Sequence, residues 1–91
     1  MATLHVLSHS PFGDNRLASC LRLLGADDAL LLTGDAVYAL LNDSLAQLPG
    51  RVYALDEDVQ ARAIINGAAQ VVDYPGFVQL TLDFDKVNTW L

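Results

Sequence analysis

Cys20 is the only cysteine in the chain, in the stretch His9–Cys20, "HSPFGDNRLASC", just after a Ser-Pro pair. A thiol can accept sulfur as a persulfide and pass it on, provided it is accessible and its pKa is lowered by a helix N-terminus or nearby cations. Arg16, one helical turn before Cys20, is such a cation. Against this, a helix capped by Asp14 places Cys20 beyond the first turn, where the helix dipole has faded. Cys20 also shares one face with Leu17, Leu21 and Leu24, at i, i+3, i+4 and i+7 spacing. Cysteine is among the most buried residue types, so spacing alone favours packing over chemistry.

His5 and His9 fall on one side of an extended strand and could approach a metal. Two histidines without a third spaced ligand make a weak four-ligand site. A hydrogen-bonded His5 in a core strand and an exposed His9 is the expected arrangement, with no metal or other cofactor.

Asp56, Glu57 and Asp58 follow an apolar run, where a phospho-receiver domain keeps its phosphorylated aspartate. A receiver also needs an acidic pair after its first strand, where this chain has Ser8-His9, and a fifth βα unit, for which too few residues remain. Helix capping and dipole complementation are the better reading of the three acids. Phosphate-cradling glycine motifs are absent, and Ser8, His9 and Ser10 form no glycine-flanked nucleophile turn.

The elements that would position these residues can be read from hydrophobic pattern. Leu4–Ser8 reads as a strand and Asp14–Gly25 as a helix. Ala29–Leu32, wholly apolar, reads as a strand buried on both faces. Asp35 can cap a second helix through Leu41, interrupted at Asn42-Asp43 and broken at Pro49-Gly50. Arg51–Leu55 is a third strand, followed by a helix from Asp56 through Ile64 and a turn at Asn66-Gly67. Gln70–Val72 is a fourth strand. Beyond it the pattern is divided. Val78, Leu80, Leu82 and Phe84 alternate as in a strand, whereas Asp73 followed by Pro75 is a helix start. The order β-α-β-α-β-α-β plus one further element implies a small three-layer α/β domain, a parallel sheet flanked by helices, spanning residues 1–91. Functional groups in such sheets gather at the carboxyl ends of the strands. Here those are Ser8-His9-Ser10, Thr33-Gly34-Asp35, Asp56-Glu57 and Asp73-Tyr74.

Bulk properties narrow the partners. With 91 residues the chain fits one domain. It is 53% hydrophobic and 18% charged, an apolar balance that implies a surface facing other subunits. Its net charge of −6 disfavours direct contact with RNA, DNA or an acidic membrane. No apolar run approaches the ~20 residues of a membrane span. The first residues do not read as a secretory signal, and a lone cysteine fits a reducing cytoplasm.

The blocks "LHVLSHSPF" (4–12), "LASCLRLL" (17–24), "LLLTGDAVYAL" (30–40), "VYALDEDVQAR" (52–62), "VDYPGFVQLT" (72–81) and "VNTWL" (87–91) together resemble the DsrH/TusB family of sulfur-relay proteins. The resemblance implies a fold shared with DsrE and DsrF, or TusD and TusC, and a heterohexamer with two copies of each of three subunits. It implies relay of persulfide sulfur from a TusA-like to a TusE-like carrier for 2-thiolation of the wobble uridine of transfer RNA, or service to sulfur oxidation in the Dsr branch. The principal sulfur-accepting cysteine belongs to the TusD or DsrE subunit. DsrH-type members carry a cysteine in the block matching Cys20, which nominates Cys20 as an auxiliary persulfide carrier. A stand-alone thiol protein is the alternative. Two departures stand out: Asp35-Ala36 replaces a common Asp-Gly, and Ser8-His9 replaces a more basic pair. The resemblance also favours a helix beginning near Asp73.

Overall fold

The structure is a computed structural model. It describes residues 2–10, 13, 15–41, 51–64 and 69–90. The expected cap at Asp14 and the breaks at Asn42-Asp43, Pro49-Gly50 and Asn66-Gly67 lie outside the described residues.

Strands β1 (Thr3–Leu7), β2 (Ala29–Leu32), β3 (Val52–Leu55), β4 (Gln70–Val72) and β5 (Lys86–Trp90) form one parallel sheet of order β4-β3-β2-β1-β5. The helical segments are α1 (Arg16–Leu23), a 3₁₀ helix (Gly34–Leu41), α2 (Asp56–Ala61) and α3 (Tyr74–Asp83). Parallel strands need crossovers, and these are right-handed almost without exception. The steps β1→β2→β3→β4 all run in one direction across the sheet, so α1, the 3₁₀ helix and α2 share one face. The step from β4 to β5 returns across the whole sheet, which puts α3 on the opposite face.

The core follows from this. Leu7, Leu30, Leu32, Val52 and Ala54 point to the first face and pack with Leu17 and Cys20 of α1, Ala36, Val37 and Ala39 of the 3₁₀ helix, and Val59 of α2. Leu4, Val6, Ala29 and Leu31 alternate to the second face, where Phe77, Leu80 and Phe84 cover them. All four residues of β2 are buried, as a central parallel strand requires.

The C-terminal ambiguity resolves to a helix and then a strand. The Asp73 carboxylate accepts from the Gly76 N–H, with Pro75 in the first turn. The alternating apolar residues 78–82 lie on α3, with Phe84 as its C-cap, and Phe77, Leu80 and Phe84 are only partly buried. The fifth strand is the element that hydrophobic pattern did not place. Of its residues only Trp90 is partly sheltered, so it carries no inward–outward alternation to read.

Two expected caps are corrected. Asp35 does not start the second helical segment, which begins at Gly34 and is 3₁₀ in form. The Gly34 N–H donates to Asp58 Oδ2 at 2.8 Å, while Asp35 turns to Arg62. The acids of α2 occupy its first turn but none caps it through its side chain. Asp56 instead accepts from Gln60 Nε2.

Candidate functional site

The carboxyl edge of the sheet was the expected site of chemistry, and there the chain ties itself together. The Thr33 N–H and its hydroxyl both donate to the Leu7 carbonyl, joining the ends of β1 and β2. The chain then turns through Gly34 at φ +51°, a left-handed conformation that disfavours any side chain. Asp58, in the first turn of α2, accepts from the Gly34 N–H and lies 3.6 Å from Arg62. Arg62 donates to Asp35 at 2.9 and 3.1 Å, and its guanidinium lies 5.9 Å from the centre of the Tyr38 ring. The bonds to Asp35 raise the Arg62 pKa further. These charges hold the 3₁₀ helix against α2.

At the ends of β3 and β4 an open cleft of about 320 Å³ is lined by Asp56, Val71, Val72, Asp73 and Gly76. The chain leaves these neighbouring strands toward opposite faces of the sheet, the position at which open α/β sheets form a crevice. Both carboxylates in the cleft accept bonds from within their own helices.

Cys20 is removed from solvent, with no exposed surface. Burial pushes its thiol up to about 12, and the Asp28 carboxylate adds to the rise. A nucleophilic thiol needs the opposite shift. In this arrangement Cys20 is a protonated core thiol among leucines and valines.

The histidines separate as expected. His9 is exposed, with Ser8 Oγ 3.4 Å from its Nδ1. His5 is buried between Asp28 and Trp90. The indole N–H of Trp90 only donates, so His5 Nδ1 accepts at 3.1 Å. That assigns the ring proton to Nε2, which faces Asp28 Oδ2 at 3.3 Å. Asp28 also accepts from the N–H groups of Gly25 and Thr3. The Gly25 bond is the chief cause of a carboxyl pKa below the usual range, with Thr3 and His5 adding to it against the effect of burial. Gly25 suits this place because a Cβ there would come within 3.3 Å of the carboxylate. Hydrophobic pattern gives Asp28 no role, and Trp90 enters the sequence only as part of the block "VNTWL". An acid immediately before a buried strand that carries no cation was the available signal.

Among the described residues no group of three or more histidine, cysteine or acidic side chains could hold a metal ion. None of their helices is long and apolar enough to cross a membrane.

The family model described as DsrH like protein matches residues 9–87. This chain belongs to the DsrH family. Relatives agree along nearly its whole length. Protein TusB of Shigella dysenteriae serotype 1 and of Escherichia coli K12 are each 38% identical over 95 residues, covering 96% of this chain and 99% of theirs. Protein TusB of Erwinia tasmaniensis is 39% identical with the same coverage. The family match spans α1 with Cys20, the Gly34–Asp58 and Arg62–Asp35 contacts and the whole of α3.

Proposed function

We propose that this DsrH-family chain is a subunit of a sulfur-relay assembly, held with DsrE- and DsrF-like (TusD- and TusC-like) sister chains. It shapes and supports their sulfur-accepting site rather than performing the transfer. Full-length similarity to proteins called TusB favours the branch that serves 2-thiolation of the wobble uridine of transfer RNA over the sulfur-oxidation branch. The observation that carries the reading is the state of Cys20: the only thiol is buried and held protonated, so a working sulfur-accepting cysteine must come from a partner. The acidic balance supports a protein that serves transfer RNA modification through TusA-like and TusE-like carriers without gripping RNA. Its place of action is proposed to be the cytoplasm.

Cys20 as an auxiliary persulfide carrier requires α1 to lift from the sheet on assembly, since the buried thiol meets no sulfur donor. Burial supports the packing role instead. The deciding experiment is co-expression with DsrE- and DsrF-like chains from the same source, followed by native mass measurement. A complex with two copies of each chain is the expected result. A chain that runs alone and takes up persulfide on Cys20 supports the stand-alone thiol protein and removes the subunit reading.

A further inference from the structure

The two faces of the sheet are finished differently. The face carrying α1, the 3₁₀ helix and α2 buries Leu17, Cys20, Ala36, Val37, Ala39 and Val59. Among the described residues the other face has α3 alone, and no residue of α3 is fully buried. Its inner side holds Phe77, Leu80 and Phe84 against the sheet. Its outer side presents Tyr74, Val78 and Leu82, which are 53%, 56% and 73% exposed. Spaced four residues apart, they form one ridge along the helix. Val87 of β5 pairs with Leu4 of the α3-side cluster, so it points to the same face, 43% exposed. Scattered exposed apolar residues are normal, but an aligned ridge continued onto an edge strand is the signature of an interaction surface.

The surroundings indicate the occupant. Four side chains can form the apolar centre of an interface but not the ~800 Å² per partner of a stable one, so the polar rim must be covered as well. That rim is acidic. Asp73, Asp83 and Asp85 are all exposed beside the ridge. Asp73 accepts from Gly76, Asp83 from Gln79 and Asp85 from the Ala2 N–H, which fixes their positions without supplying a cationic side chain. No basic residue occurs in α3. Arg16 and Arg22 belong to α1 on the far face, and Lys86 in β5 is the one basic side chain that follows directly. A two-fold dimer through this surface would set the acids against the same acids of another copy, each chain carrying a net −6.

We infer that the outer face of α3, Tyr74, Val78 and Leu82 with Val87 of β5, docks a different protein chain that meets it with an apolar centre and a rim of lysine or arginine. This inference rests on the subunit reading, which supplies the DsrE- or DsrF-like sister chain as the occupant.

The test compares three forms of the full chain, each co-expressed with the DsrE- and DsrF-like chains: wild type, Val78→Arg/Leu82→Arg on the α3 ridge, and Leu23→Arg on the opposite face. The substituted positions are exposed, and circular dichroism of each purified chain checks the fold. The α3 variant is expected to lose co-elution, with a rise in Kd of tenfold or more, while Leu23→Arg assembles as wild type does. Asp83→Lys is expected to weaken assembly in low salt and to flatten its salt dependence. If the α3 variant assembles normally, or Leu23→Arg is the one that fails, the face assignment is wrong and the subunit reading stands. If wild type binds neither chain, the subunit reading falls and this inference falls with it. Self-association of the wild type that the α3 variant abolishes makes the occupant a second copy and likewise overturns it.

Discussion

The indole N–H of Trp90 donates to Nδ1 of His5 across 3.1 Å, joining positions 85 residues apart in the chain. The bond fastens the edge strand β5 to β1 at a ring that is 5% exposed. Replacing Trp90 by Phe keeps the aromatic body but leaves Nδ1 buried without a donor. An unsatisfied buried acceptor costs about 1–3 kcal/mol. Trp90→Phe is therefore expected to lower unfolding free energy in urea by that amount. Amide exchange should accelerate first in β5, because opening that edge strand re-exposes the ring to water.

Asp28 makes stability depend on acid. Its folded-state pKa is depressed, chiefly by the Gly25 N–H, then by Thr3 and His5. A depressed carboxyl stabilises the fold fully above its unfolded pKa, ~3.9, and the contribution is lost as pH falls through the folded value. Wild type should thus lose stability steeply below about pH 4. Asp28→Asn is expected to be less stable at neutral pH by about 1.5–3 kcal/mol, the worth of charge-assisted bonds, and to show a shallower acid slope. Urea unfolding of both proteins from pH 7 to pH 3 checks this; parallel curves would remove Asp28 as the cause.

For Cys20 the prediction concerns rate. A thiol whose pKa is pushed up to about 12 holds far less thiolate at neutral pH than a free one. Its reaction with an aromatic disulfide should be slower in the native protein than in denaturant by a factor on the order of 10³. Cys20→Ala, assembled with the sister chains, is expected to relay sulfur at the wild-type rate and to be less stable by about 1 kcal/mol, the loss from a small cavity. Loss of relay in an intact assembly would make Cys20 a carrier.

The central parts of this fold were open to reading because their residues answer to one constraint at a time. Ala29–Leu32 is buried on both faces and is uniformly apolar. Leu17, Cys20, Leu21 and Leu24 face one sheet surface and repeat at helical spacing. Where two constraints overlap, pattern misleads. Residues 78–84 alternate because one side of α3 meets the sheet while Val78 and Leu82 face outward. That produces a strand-like rhythm on a helix, and only the Asp73 cap and Pro75 break the tie. The His5–Asp28–Trp90 group joins β1, β5 and the residue just before β2, from distant segments, and such a tertiary arrangement has no spacing to detect. Asp58 likewise reads as a helix-start acid, yet the Gly34 N–H it satisfies belongs to another segment.

The Asp73 cap carries more weight than an ordinary helix start, because α3 buries none of its residues completely and has no salt bridge among the contacts described. Loss of one N-cap bond costs about 1 kcal/mol. Asp73→Ala should therefore fray α3 locally before it unfolds the sheet, with faster amide exchange at residues 76–80 and little change in β2. Fraying at that end moves Tyr74 and Val78, the first two side chains of the exposed ridge. The same substitution should then weaken assembly with the sister chains more than it lowers unfolding free energy. Asp73→Asn, whose side-chain oxygen can still accept from Gly76, should restore the exchange pattern of α3. Restored exchange with assembly still weak would assign the remaining loss to the Asp73 charge at the rim.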